Sequence, residues 1–246
     1  MTFPHPPAPM TPPARATPFR AARALAALLL PLGVHADPVR LATGHVDLRI
    51  DYDPQREPPL TLVISDDDQG INLDPTNTVL VVAEAARLQL PGDLPPLGNA
   101  GDPLWVLPQS QNPALLFLGL SAESNPQGVF ADPLHIRLLA VDGPGSFFFW
   151  QAELGSLDFF FDPSDGITEA DSYPEPVGGH SHGNWGFTTN GIYRVTFEAV
   201  GRPLDNPTPL RSPPVTFTFH VEPVPATPSP YRAWQNRHWP GLTNPA

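Results

Sequence analysis

Proline limits this chain more than any other residue: it occupies 36 of the 246 positions, and glycine takes a further 19. Inside a helix a proline removes a backbone donor and collides with the carbonyl four residues earlier. Punctuation this dense therefore favours short strands joined by turns. Hydrophobic residues still make up 41% of the chain, too many for a disordered polymer. The chain must bury a core, and must build it from short elements.

The hydrophobic pattern names the element type. Val46, Leu48, Ile50 and Tyr52 alternate with His45, Asp47, Arg49 and Asp51, the period of two that puts apolar residues on one strand face and polar, ligand-capable residues on the other. The same alternation recurs at Tyr193, Val195, Phe197 and Ala199, after an Asn190-Gly191 turn signal, and again at Val215, Phe217, Phe219 and Val221. Apolar runs at 60–64, 78–83, 115–120, 134–141, 147–150 and 157–161 are each bounded by Gly, Pro, Asn or Asp. Only 81–90 has helical character, and its valines argue equally for strand. The pattern predicts an all-β fold of roughly nine to eleven strands, an antiparallel β-sandwich of Ig-like or jelly-roll-like type.

Residues 1–36 read as an export signal. Arg15, Arg20 and Arg23 precede the apolar run 24–32, and Val34-His35-Ala36 offers a small-residue cleavage site. Translation from Met10 would give a more ordinary signal. Residues 37–222 then form the folded domain, 223–230 (Pro-Val-Pro-Ala-Thr-Pro-Ser-Pro) a stiff linker, and 231–246 a short C-terminal segment. In that segment Tyr231, Trp234 and His238 fall at helical spacing, with no evident core to join.

Removing Arg15, Arg20 and Arg23 takes the formal charge from -12 to -15, and the chain has no lysine. Phosphate contacts need a basic surface, so nucleic acid is disfavoured as a partner. No membrane span is expected in the mature chain. Cysteine is absent as well, which leaves histidine and carboxylate as the available ligands for a transition metal.

Two motifs offer those ligands. Gly179-His180-Ser181-His182-Gly183 puts two imidazoles at i and i+2, on one face if the segment is extended, and Gly44-His45-Val46-Asp47 does the same for an imidazole and a carboxylate. Together His45, Asp47, His180 and His182 satisfy the tetrahedral count that zinc prefers. The competing reading is that exposed strand faces carry polar residues anyway. Asp66-Asp67-Asp68-Gln69-Gly70 lacks the alternating ligand spacing of a calcium loop and reads as a hairpin turn. Trp105 and the run Phe147-Phe148-Phe149-Trp150 suggest either core or an aromatic platform for carbohydrate. No segment reads as a nucleophile elbow, a phosphate-cradling glycine loop or a zinc-protease helix.

In order along the chain, Gly44-His45-Val46-Asp47, Trp105-Val106-Leu107-Pro108-Gln109-Ser110-Gln111-Asn112-Pro113, Leu118-Gly119-Leu120, Gly143-Pro144-Gly145-Ser146-Phe147, the 179–187 segment and Gly191-Ile192-Tyr193-Arg194 resemble the bacterial surface-anchored domain called choice-of-anchor M, of the actinobacterial surface-anchored repeat type. The resemblance spans residues 38–222. It implies an exported domain held at the cell surface through differing C-terminal anchors, found beside metal-uptake systems and without established enzymatic activity. Its histidine motifs fall on His45, His180 and His182, with Asp47 and Asn184 alongside. Residues 231–246 resemble the lead-in to an acidic calcium-binding repeat that does not follow, as if this were the start of a missing anchor.

Residues and resemblance together predict an exported, non-enzymatic surface-type domain that binds a divalent metal, zinc, through His45, Asp47, His180 and His182. Cell-envelope proteins or a metal-uptake system are the expected partners. The alternative is an adhesion or carbohydrate-binding module whose histidines are structural. A hydrolase would require an open metal position for water, with Asp47 or a nearby glutamate as base.

Overall fold

The computed structural model describes residues 1–2 and 37–223. The export signal, nearly all of the proline-rich linker and the 231–246 segment fall outside the described residues. Contacts divide the chain into Met1–Ala36 and Asp37–Ala246, and the fold belongs to the second unit.

Among the described residues it contains seventeen strands. The first eight are β1 (Val39–Leu41), β2 (Gly44–Tyr52), β3 (Leu60–Asp66), β4 (Ile71–Leu73), β5 (Thr78–Val82), β6 (Arg87–Gln89), β7 (Pro103–Leu107) and β8 (Leu116–Ser121). The rest are β9 (Phe130–Asp142), β10 (Phe147–Glu153), β11 (Ser156–Phe161), β12 (Ser172–Glu175), β13 (His180–His182), β14 (Asn184–Phe187), β15 (Gly191–Pro203), β16 (Leu210–Arg211) and β17 (Val215–Val221). They form a seven-stranded sheet in the order β1-β5-β17-β15-β9-β12, with β16 on β15. Two five-stranded sheets accompany it, β11-β10-β14-β7-β6 and β13-β8-β2-β3-β4.

The all-β, sandwich-like class holds, with two differences from the sequence expectation. The strand count exceeds nine to eleven because pieces as short as Val39–Leu41 or His180–His182 carry too few residues to display a period. The sheets are also mixed rather than purely antiparallel: β1 with β5, β5 with β17 and β2 with β8 run parallel. The 81–90 stretch resolves into the end of β5, a 3-10 turn at Glu84–Ala86 and β6. Pro174 sits in β12, at the edge of its sheet, where a missing amide donor is tolerated.

The inward faces share one core. Phe147 and Phe149 of β10 and Trp185 and Phe187 of β14 are fully buried, as are Phe197, Phe217 and Phe219 of the large sheet. The two groups meet ring to ring: Phe187 and Phe219 have centroids 5.2 Å apart, and Phe161 and Phe197 also 5.2 Å. Fully burying such a side chain contributes about 1.5–3 kcal/mol, so this aromatic layer anchors the two sheets it joins, and Trp185 Nε1 donates to the Leu118 carbonyl of β8 at 3.0 Å, a tie to the sheet that carries the histidines. Phe148 and Trp150 point the other way, into a second apolar cluster with Leu90, Leu97, Leu104 and Val106. All of Trp105 and Phe147 to Trp150 are buried. The carbohydrate reading therefore loses the outward aromatic platform it required.

Candidate metal centre

Three strands of one sheet, in the order β13-β8-β2, assemble the site. β2 supplies His45 and Asp47, and β13 supplies His180 and His182. In the register of β8, Asp47 lies opposite Gly119 and Gly119 opposite His182. Neighbouring strands stand about 4.8 Å apart, so the outer two are separated by about 10 Å. Asp47 and His182 close that gap by leaning toward each other over a residue with no side chain. A Cβ on Gly119 would overlap Asp47 Oδ1 and come within 2.9 Å of His182 Cε1. One row away, Phe117 of β8 stacks on the His182 ring with centroids 3.6 Å apart and an interplanar angle of 8°, holding the imidazole in place.

The result is a convergence of donor atoms. His45 Nε2 lies 3.1 Å from His180 Nε2 and 3.2 Å from His182 Nε2. Asp47 adds Oδ2 at 3.3 Å from His180 Nε2 and Oδ1 at 3.6 Å from His45 Nε2. A ring nitrogen has one in-plane position, either a proton or a lone pair. His45 Nε2 therefore makes at most one good hydrogen bond to its two close imidazole neighbours. A cation at the centre accepts all three lone pairs at once. Zinc-to-nitrogen bonds of about 2.0–2.1 Å imply a tetrahedral edge of about 3.3 Å, close to these separations.

Asp47 gives independent support. Its side chain is 1% exposed, and neither carboxylate oxygen has a hydrogen-bond partner among the described residues. A buried, unpartnered carboxylate is costly. Burial pushes its pKa up to about 6, against the pull of His180. Burial, followed by the neighbouring His180, pushes His182 down to about 4, so at neutral pH that ring is an uncharged donor. His45 and His180 keep 23% and 26% of their side chains exposed, which leaves the centre reachable from solvent.

Outer groups orient these donors. Asp67 Oδ2 lies 3.7 Å from His45 Nδ1, Ser65 Oγ donates to Asp67 Oδ1 at 2.8 Å, and Arg49 donates to Ser65 Oγ at 3.1 Å. A carboxylate behind a ligating imidazole fixes the ring and strengthens it as a ligand. The backbone amide of His45 donates to Asp68 Oδ2, and the amide of Asp67 donates to the His45 carbonyl. The Asp66–Gly70 segment is thus the β3–β4 hairpin turn, and it also buttresses His45. Glu123 stands beside Asp47 and Asp67, an acidic rim that favours cation approach.

The structure brings together all four sequence-predicted residues, with ligand atoms mutually within 4.8 Å. Asn184 instead turns to the 109 loop, where its Oδ1 accepts from the Gln109 amide at 3.0 Å. Sequence reasoning missed Gly119, Phe117, Asp67 as a supporting group, and Glu175, a buried carboxyl whose Oε1 accepts from Ser181 Oγ at 3.3 Å. A lone glycine inside the apolar run 115–120 was the available signal, since it marks a close approach. The spelling Gly179-His180-Ser181-His182-Gly183 also matches the G-x-S-x-G spacing of a nucleophile elbow, which corrects the expectation that no segment does. Its context differs: Ser181 is the middle residue of β13, the next element is β14, and its hydroxyl is turned to Glu175.

Gly119→Ala provides a direct check on this geometry. The added methyl enters the space between Asp47 and His182, so zinc affinity measured by competition with a chromophoric chelator should fall at least about tenfold, the scale of a displaced supporting group, while far-UV circular dichroism stays unchanged. Comparison with protein-family models, with curated proteins and with solved structures finds no match to this chain.

Proposed function

We infer that this chain is an exported, non-enzymatic bacterial surface-type domain that binds one divalent metal ion, zinc, through His45, Asp47, His180 and His182. The observation that carries the reading is the convergence of three imidazole Nε2 atoms and an orphaned buried carboxylate on one point. Nitrogen donors with a single carboxylate suit zinc better than calcium or magnesium, which take oxygen ligands. Four protein ligands complete a tetrahedron without an open position for water, which favours holding or passing on the ion over hydrolysis. Partial exposure of His45 and His180 gives the ion a way in and out. The choice-of-anchor M resemblance supports placing the domain at the cell surface, with cell-envelope proteins or a metal-uptake system as partners. Among the described residues no helix is long and apolar enough to cross a membrane.

Protein purified without a histidine tag should carry or take up one zinc per chain by elemental analysis, and zinc should raise its melting temperature, because an ion that binds only the folded state stabilises it. Below about pH 6 the proton on Asp47 competes with the metal, so affinity should fall as the pH is lowered from 7 to 5. A chain that takes up no zinc and shows no thermal shift at pH 7 overturns the reading.

A further inference from the structure

A second feature, independent of the metal centre, lies on the outer face of the β11-β10-β14-β7-β6 sheet. Most sandwich faces turned away from the core are polar, yet this one presents Leu104, Val106, Phe148 and Trp150. Gly186 leaves room for it: a Cβ there would stand 2.6 Å from the Trp150 ring, which lies across the strand. The 90–97 loop covers part of the face with Leu90 and Leu97 and leaves a groove of about 440 Å³. Leu88 and Leu157, at its rim, are 40% and 38% exposed. A concave, mostly apolar groove of this size has the form of a binding site.

Two observations identify the occupant that covers it. The first is where the described chain ends. The Glu222 amide donates to the Val82 carbonyl at 2.9 Å, and Ala85 and Ala86, three and four residues beyond Val82, line the groove. The chain thus leaves the sheet beside the end of β5, three residues before the first groove-lining residue, with residues 224–246 still to come. Seven residues, 224–230, have a maximum reach of about 23–25 Å. Five strands span about 19 Å, so a segment beyond residue 230 is within reach of the groove.

The second is complementarity. The segment after the spacer carries Tyr231, Trp234 and Trp239 with Arg232 and Arg237 and no acid. All 25 acidic residues lie within 37–223. Three of the 13 arginines precede that stretch and two come after it, leaving eight inside. Exposed Glu84 and Asp93 directly neighbour groove-lining residues in sequence, beside the lining residue Arg87.

We propose that the C-terminal segment Tyr231–Trp239 of this chain seats its aromatic side chains in the apolar groove floored by Leu104, Val106 and Trp150, with Arg232 and Arg237 facing the acidic rim. This gives the segment's aromatic residues the core they lack in sequence, and it removes an apolar patch from the surface of an acidic protein.

The absence of cysteine makes the test clean. Asn236→Cys in the full chain gives a single thiol for a nitroxide label. Methyl resonances of Leu88, Leu94, Leu104 and Val106 should broaden away, independently of protein concentration, while those of Val63 and Ile192 persist. Adding Leu88→Gln, an uncharged rim change at an exposed position, should restore the groove signals and speed trypsin cleavage after Arg232 and Arg237. Three results overturn the proposal: no groove broadening in the labelled chain; broadening that grows with concentration, which assigns the groove to a second copy; or broadening unchanged by Leu88→Gln.

Discussion

Asp47→Asn should weaken zinc binding at neutral pH by more than about a hundredfold while making the metal-free protein more stable. The two effects share one cause. Asp47 of β2 is fully buried, with both oxygens unpartnered among the described residues, and burial raises its pKa from 3.8 to about 6. For an acid shifted upward, the folded state holds more protons than the unfolded state between the two values, so stability falls as pH rises through that window and stays low above it. A shift of this size corresponds to about 3 kcal/mol. Asparagine cannot ionise and escapes that cost, so denaturant unfolding of the metal-free variant at pH 7 should show a gain on that order. Asparagine also supplies no anionic ligand. Zinc affinity should drop by more than the ten- to hundred-fold range that supporting groups carry. A variant that lost affinity and stability together would mean that Asp47 is a structural residue whose carboxylate has partners in solution.

His182 adds a slope of the opposite sign. Its pKa falls from 6.5 to about 4, so the unfolded state holds the extra proton in that window and stability rises with pH across it. In the wild type the two groups largely offset between pH 4 and 6. Substitution of Asp47 leaves the His182 slope exposed, so the variant's stability should rise with pH there. The centre therefore pairs a donor that resists protonation with a carboxylate that resists ionisation until a cation arrives.

Period two was enough to put His180 with His182, and His45 with Asp47, on common strand faces, because that relation is local to each strand. Bringing the two pairs together depends on residues 135 positions apart entering adjacent rows of one sheet, and that depends on β8. Its run Leu115 to Leu120 reads as a buried strand, which it is, but nothing local says that β2 pairs with it in parallel or that Gly119 falls in the Asp47 row. Phe117 looks like any core residue in sequence, yet it is half-buried and stacks on His182. Similarly, the alternation in Phe147 to Trp150 says that two rings face each way. Only the 90–97 loop folding over Leu104 and Val106 decides that the second pair is covered.

Glu175→Gln should stabilise the metal-free protein more as the pH rises. Glu175 sits in β12, fully buried, behind the centre. Oε1 accepts from Ser181, while Oε2 has no partner among the described residues. Burial is the main cause raising its pKa from 4.5 to about 8, and the nearby carboxylates of Asp47 and Glu123 add to the rise. At pH 7 it is a neutral acid in the folded chain and an ionised one in the unfolded chain. By the same linkage the wild type loses stability from pH 4.5 up to about pH 8, by about 5 kcal/mol in all. Above pH 6.5 the windows of Asp47 and His182 are closed, so between pH 6.5 and 8 Glu175 is left with about 2 kcal/mol of that loss. Glutamine keeps the volume and the acceptor for Ser181 but has no proton to lose. Urea unfolding at pH 5, 6.5 and 8 should give curves for wild type and variant that nearly meet at pH 5 and diverge steadily above it. Parallel curves would mean that Glu175 ionises freely, with solvent reaching behind β13. Zinc should narrow the gap, because a cation on Asp47 removes one of the negative charges that hold Glu175 neutral.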